Sequence, residues 1–308
     1  MAEWKFESRE GGTLAGLRWD APEPRGLVYL AHGLAEHVER YDAFARALNG
    51  IGLSVAGHDH RGHKLSVASD ADLGHFADRD GFPLMARDLS AGMSAWRAAH
   101  PGLPLILFGH SMGSFLAQYL MGRDPAGIDF LIMSGSNGPQ PRALAVAARL
   151  IARVERLRLG GRGHSRLIHG MVFDANNKPF EPGPTSMEWL SRDRAAVDAY
   201  VADPFCGYIA STASWTSLLD ELSRLATPAQ MRGVPTGVPT LIFSGDRDPV
   251  GGMGKGVQRL HDIWKAHGVA DLTMKLYPGG RHEMLNETNR DEVIADVCGW
   301  IEERLPPS

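Results

Sequence analysis

A chain of 308 residues with a net charge of −4 has no general attraction for nucleic acid, and 44% hydrophobic with 22% charged content excludes a disordered or fibrous protein. No apolar stretch approaches the ~20 residues needed to cross a bilayer, and the opening MAEWKFESREGG carries no secretory pattern, so a soluble, cytoplasmic protein is expected. The two cysteines, Cys206 and Cys298, match no metal or redox spacing and read as two reduced thiols.

Residues 3–19 read as two strands around a turn at Glu10-Gly11-Gly12. GLVYLAHG (26–33) is a short apolar run ending in glycine, as a buried strand would be. Residues 40–52 carry helical spacing at Tyr41, Phe44, Ala45 and Leu48. A strand at 53–57 runs into the polar loop GHDHRGHK, and residues 80–100 form a long helix pattern closed by Pro101-Gly102. LPLILFGH (103–110) is the strongest strand, followed by the helix SFLAQYLMG and the strand IDFLIMSG (128–135). The alternation then stops, and residues 139–230 are helical and loop-rich. It resumes with a strand at 238–244, a helix over 253–267, a strand at 272–277 and a last helix over 289–304. Repeated strand–helix alternation predicts an α/β fold, a mostly parallel sheet with helices on both faces. The interruption predicts a helical cap or lid over 137–232, inserted into a core made of 1–136 and 233–308.

In an open α/β sheet the ligand crevice lies beyond the C-terminal ends of the strands. The predicted strands deliver His32-Gly33-Leu34-Ala35-Glu36, GHDHRGHK, Gly109-His110-Ser111-Met112-Gly113, GDRDPV and PGGRHE to that edge. G-x-S-x-G between strand and helix is a nucleophile elbow, in which glycines allow close backbone approach around an exposed serine, here Ser111. A serine hydroxyl needs a base, and His282 can be it. A carboxylate must hold that imidazole in the right tautomer, and Asp246 and Asp248 compete for the role from one turn. The chain order Ser…Asp…His is the order such a fold uses. Oxyanion donors are expected at the Met112 N–H and in the loop after strand 26–31, where Leu34 is the choice.

Six strings carry a resemblance: HGLAEHVERY (32–41), GHDHRGH (57–63), GHSMGS (109–114), WLSRDRAAVDAYVADPFCGY (189–208), SGDRDPV (244–250) and YPGGRHEMLNE (277–287). On them the chain resembles the α/β-hydrolases, and within these the monoacylglycerol lipase and lysophospholipase-like branch, also labelled serine aminopeptidase-like. The resemblance implies the α/β-hydrolase fold, Ser111 as nucleophile, His282 as base, and Leu34 and Met112 as oxyanion donors. It favours Asp248, the aspartate of G-x-x-D. It implies a carboxylic-ester hydrolase that needs no cofactor and no metal, acting on small-molecule acyl esters such as monoacylglycerols or lysophospholipids. The chain departs from the family at Gly62-His63-Lys64-Leu65-Ser66, where G-H-G-x-S is usual and Lys64 replaces a glycine.

Other motifs resolve to ordinary readings. HDHRGH (58–63) suggests a metal site of the H-x-H-x-D-H type, but Gly62 stands where that pattern needs Asp, so it reads as a loop beside the site. GGMGKG (251–256) fails as a phosphate loop, with Pro249 and Gly256 at required positions. RALAVAARLIARVERLRL (142–159) is an amphipathic helix with Leu144, Ala147, Leu150, Ile151, Val154 and Leu157 on one stripe and Arg149, Arg153 and Arg156 on another. The simple expectation is a solvated face, and the sharper one is peripheral contact with lipid aggregates or a membrane surface. An aminopeptidase or amidase would need an insertion carboxylate for the substrate ammonium, with Glu181, Glu188 and Glu221 as candidates. A catalytically silent binding protein is the third reading.

Overall fold

The apolar runs become one eight-stranded sheet in the computed structural model, which describes residues 1–8, 11–125 and 127–305. Its strands are β1 Ala2–Glu7, β2 Thr13–Trp19, β3 Gly26–Ala31, β4 Leu53–His58, β5 Leu105–His110, β6 Phe130–Ser134, β7 Thr240–Gly245 and β8 Leu272–Tyr277. They lie in the order β1-β2-β4-β3-β5-β6-β7-β8. β2 pairs antiparallel with β1 and β4, and the other neighbours are parallel. The turn expected at Glu10-Gly11-Gly12 falls partly outside the described residues.

Alternate residues of each central strand enter opposite cores, as the period of two requires. Leu27, Tyr29, Leu105, Leu107, Leu131, Met133 and Ile242 face one layer, and Val28, Leu30, Ile106, Phe108, Ile132, Leu241 and Phe243 the other. The helices of the core's first half are α1 Asp42–Gly50, α2 Gly81–Ala99 and α3 Met112–Met121. The segment between β6 and β7 adds α4 Arg142–Leu159, α5 Arg166–His169, α6 Ala175–Asn177, α7 Arg194–Ala202, α8 Thr212–Leu222 and α9 Pro228–Met231, with no strand among the described residues. α10 Lys255–His267 and α11 Arg290–Glu302 complete the core. Leu89 of α2, Leu116 of α3 and Leu260 of α10 cover the first face, while Phe44 and Leu48 of α1 and Val297 and Ile301 of α11 cover the second.

Several boundaries shift by a residue or two from the sequence reading, and two of the shifts have evident local reasons. The helix expected from residue 253 starts at Lys255, because Met253 and Gly254 take φ of +54° and +81°, which a right-handed helix cannot continue. The strand expected from residue 103 starts at Leu105, after Pro104, which has no N–H to give a ladder.

α4 spans the expected residues, but its apolar stripe faces outward. Leu144, Leu150, Val154 and Leu157 are exposed, whereas Ala152 and Glu155 are buried. Ile151 alone of the stripe's large residues packs against the core, and part of the basic stripe faces α8, where Asp220 takes Arg149 at 2.6 Å and Arg153 at 3.0 Å. No described helix is long and apolar enough to cross a membrane.

Candidate active site

Parallel pairing places the strand ends side by side: Ala31 opposite Gly109, His110 opposite Ser134, Ser134 opposite Phe243, and Gly245 opposite Tyr277. Ser111 follows β5 directly and precedes α3, with φ 51° and ψ −118°. A side chain rarely adopts such a backbone, and the surrounding packing must hold it. Glycine makes that packing possible. A Cβ on Gly113 would lie 1.9 Å from the Ala31 carbonyl oxygen, and one on Gly109 would lie 2.5 Å from that of Gly113.

The two competing aspartates have different partners. Asp248 Oδ2 accepts the His282 Nδ1–H at 3.0 Å and the Ser244 hydroxyl at 2.7 Å, and its Oδ1 accepts the Val250 N–H at 2.9 Å. Asp246 instead accepts the Gly279 N–H at 2.8 Å and so holds the loop in front of His282. Because Nδ1 donates to Asp248, Nε2 of His282 is left as the acceptor a base requires. Ser111 and His282 line one cavity; among the described residues no hydrogen bond joins Ser111 Oγ to His282. Such bonds are often loose without substrate and tighten when it binds.

Burial opposes a charge on His282, yet the Asp248 carboxylate outweighs it and raises the imidazole above the ordinary 6.5. Burial is the largest single influence on Asp248 and opposes its charge, but His282, the Ser244 hydroxyl and the Val250 N–H together lower the carboxyl below its ordinary value. Since only the neutral imidazole accepts a proton, hydrolysis should fall on acidification with a midpoint above 6.5. A kcat/KM profile of a p-nitrophenyl ester checks this, and a midpoint at or below 6.5 contradicts it.

Leu34 and Met112 offer their N–H groups beside Ser111, both without partners among the described residues. The Gly33 groups beside Leu34 are both engaged. Gly33 N–H donates to Glu36 Oε1 at 2.5 Å, and His32 Nδ1–H donates to the Gly33 carbonyl at 2.7 Å. Behind the loop, Arg40 bridges Glu36 at 2.8 Å and Glu283 at 2.6 Å. Burial works against the Glu283 charge, but the Arg40 guanidinium holds that carboxyl down at about 2. Glu283 follows His282, so this buried ion network ties the Leu34 loop to the His282 loop. Trp189 adds a ring 4.9 Å from that of His282, and its carbonyl accepts the His282 N–H at 3.3 Å. The motif HGLAEHVERY displayed Glu36 and Arg40, and the string from 189 displayed Trp189. Their roles depend on contacts between distant segments and left no local signal.

The imidazoles of HDHRGH pack on one another and on His32, with His58 and His60 centroids 5.1 Å apart and His32 and His60 4.2 Å apart, and burial holds His58 at about 3 and His63 at about 4. Among the described residues the group best spaced to hold a metal is His37, Asp203 and Cys206, with donor atoms within 4.8 Å of one another. The Lys64 ammonium, 3.4 Å from His37 Nδ1, and the nearby Arg40 both oppose a cation there.

The site opens into a cavity of about 800 Å³. Its walls are largely apolar, with Leu144, Ile151, Val172, Trp215 and Leu218 from the insertion. Glu181, Glu188 and Glu221 do not line it. Glu188 binds Arg194 and Thr185, and Glu221 pairs with Arg224.

A doubly wound, mostly parallel sheet with a strained serine at the end of β5 and a His–Asp pair beyond β7 and β8 is that of an α/β-hydrolase. The family model described as serine aminopeptidase, S33 matches residues 22–289, and the chain belongs to that family. It is 31% identical to the monoacylglycerol lipase of Mycolicibacterium smegmatis, over 92% of this chain and 90% of that protein. It is 28% identical to the human monoglyceride lipase, over 91% and 84%. Among solved structures, a thermostable carboxyl esterase from Bacillus coagulans in complex with glycerol superposes with a TM-score of 0.91 at 27% identity, covering 99% of both chains. The monoacylglycerol lipase of Paleococcus ferrophilus shares the fold at a TM-score of 0.69 and 23% identity, over 94% of this chain and 98% of that one.

Proposed function

We propose that this protein is a serine carboxylic-ester hydrolase that cleaves monoacylglycerols, lysophospholipids or similar medium-to-long acyl esters through an acyl-enzyme. The observation that carries the reading is the Asp248–His282 pair beside Ser111 at the floor of a large, mainly apolar cavity. The names of the relatives at 31% and 28% identity support the substrate class. Ser111 Oγ attacks the acyl carbon while His282 Nε2 takes its proton. The Leu34 and Met112 N–H groups receive the oxyanion. His282 returns the proton to the leaving alcohol, Asp248 steadies the imidazolium, and water repeats the cycle on the acyl-enzyme. Residues 137–232 act as the cap whose helices line the acyl path. No step calls for a cofactor.

Among the described residues that line the cavity, the aminopeptidase and amidase reading finds no free carboxylate for an ammonium. The cavity's two glutamates, Glu36 and Glu283, are both bonded to Arg40. The test is a hydrolysis panel of p-nitrophenyl esters of rising chain length, monoacylglycerol, lysophosphatidylcholine and aminoacyl-naphthylamides, beside fluorophosphonate labelling. Wild type that labels no better than Ser111→Ala sinks the hydrolase reading in favour of a binding protein, and preferential naphthylamide cleavage transfers the assignment to the amidase.

The outward stripe of α4 supports a second part of the proposal: a cytoplasmic enzyme that rests on lipid surfaces. Leu150, Val154 and Leu157 are 61%, 53% and 88% exposed and lie outside the cavity lining, and burying each such side chain contributes about 1.5–3 kcal/mol. Replacing all three with serine should cut co-sedimentation with phosphatidylglycerol vesicles at least ~10-fold while sparing a short, monomeric ester. Equal sedimentation of variant and wild type would contradict it.

A further inference from the structure

We propose that Tyr200, on the cap helix α7, is a positioning residue for the oxyanion loop, so that the cap completes the Leu34 donor; this rests on the hydrolase reading above. Three successive peptide groups set where the Leu34 N–H points. The first, between Gly33 and Leu34, is fixed by His32 through the Gly33 carbonyl at 2.7 Å. The second, between Leu34 and Ala35, is fixed by the core loop, where His63 Nε2 accepts the Ala35 N–H at 3.4 Å. The third, between Ala35 and Glu36, is fixed from the cap. The Ala35 carbonyl accepts the Tyr200 hydroxyl at 2.9 Å and the Gly207 N–H at 3.0 Å.

Ala35 has φ +55°, a left-handed conformation that costs an alanine roughly 1–2 kcal/mol. It persists because those bonds hold both sides of it. Removing the cap's share leaves the residue next to the donor free to relax. Tyr200 is 3% exposed and lines the cavity, yet its hydroxyl is committed to Ala35 and to the Gly207 N–H at 3.1 Å. The guanidinium of Arg40 stacks over its ring at 4.8 Å.

A latch keeps this cap segment seated, and it includes the residue by which the chain departs from its family. His37 joins Asp203 at 2.8 Å. Lys64 binds Glu39, approaches His37 and lies over the Phe205 ring at 5.5 Å. One lysine thus connects the loop after β4, the oxyanion loop and residues 203–207 of the cap. A glycine could make none of these contacts.

The test uses the full chain with Tyr200→Phe, which keeps the ring and removes only the hydroxyl, and Lys64→Met, which removes the latch charge. An oxyanion donor is worth about 10²–10³ in rate, so misplacing one should cost about tenfold in kcat for Tyr200→Phe and about threefold for Lys64→Met. KM should stay within about twofold. Hydrolysis of the preformed acyl-enzyme should slow in proportion, although no leaving alcohol remains for Tyr200 to touch. An alkylboronic acid, whose tetrahedral adduct places an oxygen in the hole, should bind about tenfold more weakly to Tyr200→Phe. The proposal falls if kcat and boronate affinity match wild type within twofold, if only KM changes, or if the loss is confined to acylation. Should Tyr200→Phe not fold, Lys64→Met decides by the same readouts. If wild type neither hydrolyses esters nor labels at Ser111, the function itself fails and takes this inference with it. If wild type reacts and the variants react equally, only the positioning role is lost.

Discussion

Asp248→Asn should lower ester hydrolysis by roughly 10⁴-fold with the fold intact. The size follows from the hydrogen-bond directions. Asp248 receives donors on both oxygens: the Val250 N–H on Oδ1, and the Ser244 hydroxyl and His282 Nδ1–H on Oδ2. An asparagine must turn its NH₂ toward one side. The backbone N–H of Val250 cannot rotate away, so the NH₂ goes to the side of His282. There it donates to Nδ1 and forces the ring proton onto Nε2, the nitrogen that must accept from Ser111. Asp246→Asn keeps an oxygen for the Gly279 N–H and should change the rate no more than roughly twofold. Steady-state kinetics on one p-nitrophenyl ester distinguish the two, and the reverse ranking would reassign the acid.

Gly113→Ala should be the most damaging single methyl in the elbow. Its Cβ would meet the Ala31 oxygen at 1.9 Å, the Ala31 carbon at 2.5 Å and the His32 oxygen at 2.7 Å, all of them backbone. Neither β3 nor α3 can yield without separating Met112 from the loop that carries Leu34. The expected cost is roughly 3 kcal/mol or more in stability and about 100-fold or more in kcat. Gly299→Ala is the control. Its Cβ would have nothing within 4 Å in the helix α11, so it should gain about 0.5–1 kcal/mol. Thermal melts and kinetics on both variants check the pair. A fully active, equally stable Gly113→Ala would mean the elbow has slack that its contacts do not show.

Much of this was legible in the sequence, and the exceptions are physical. Strands buried on both faces are continuous apolar runs, so β3, β5 and β6 could be read with their order and their outlets at one edge. Residue type could not separate Asp246 from Asp248, since both sit in one turn and only the neighbours, Gly279 and His282, tell them apart. Periodicity revealed the stripes of α4 but not the direction they face, which depends on packing against α8, a helix far along the chain. The bonds of Tyr200, Trp189 and Arg40 join segments far apart in the chain, and no local pattern encodes them.

The sheet also sets when the chemistry can begin. More than half of the sequence lies between Ser111 and His282, and the whole helical insertion falls in that interval. β3, β5, β6 and α3, whose contacts hold the elbow, all precede that insertion in the chain. On its own a serine hydroxyl is a weak nucleophile. Only when β7 docks on β6 and β8 on β7 do Asp248 and His282 arrive at the edge. A chain ended before β7 would therefore carry Ser111 without Asp248 and His282.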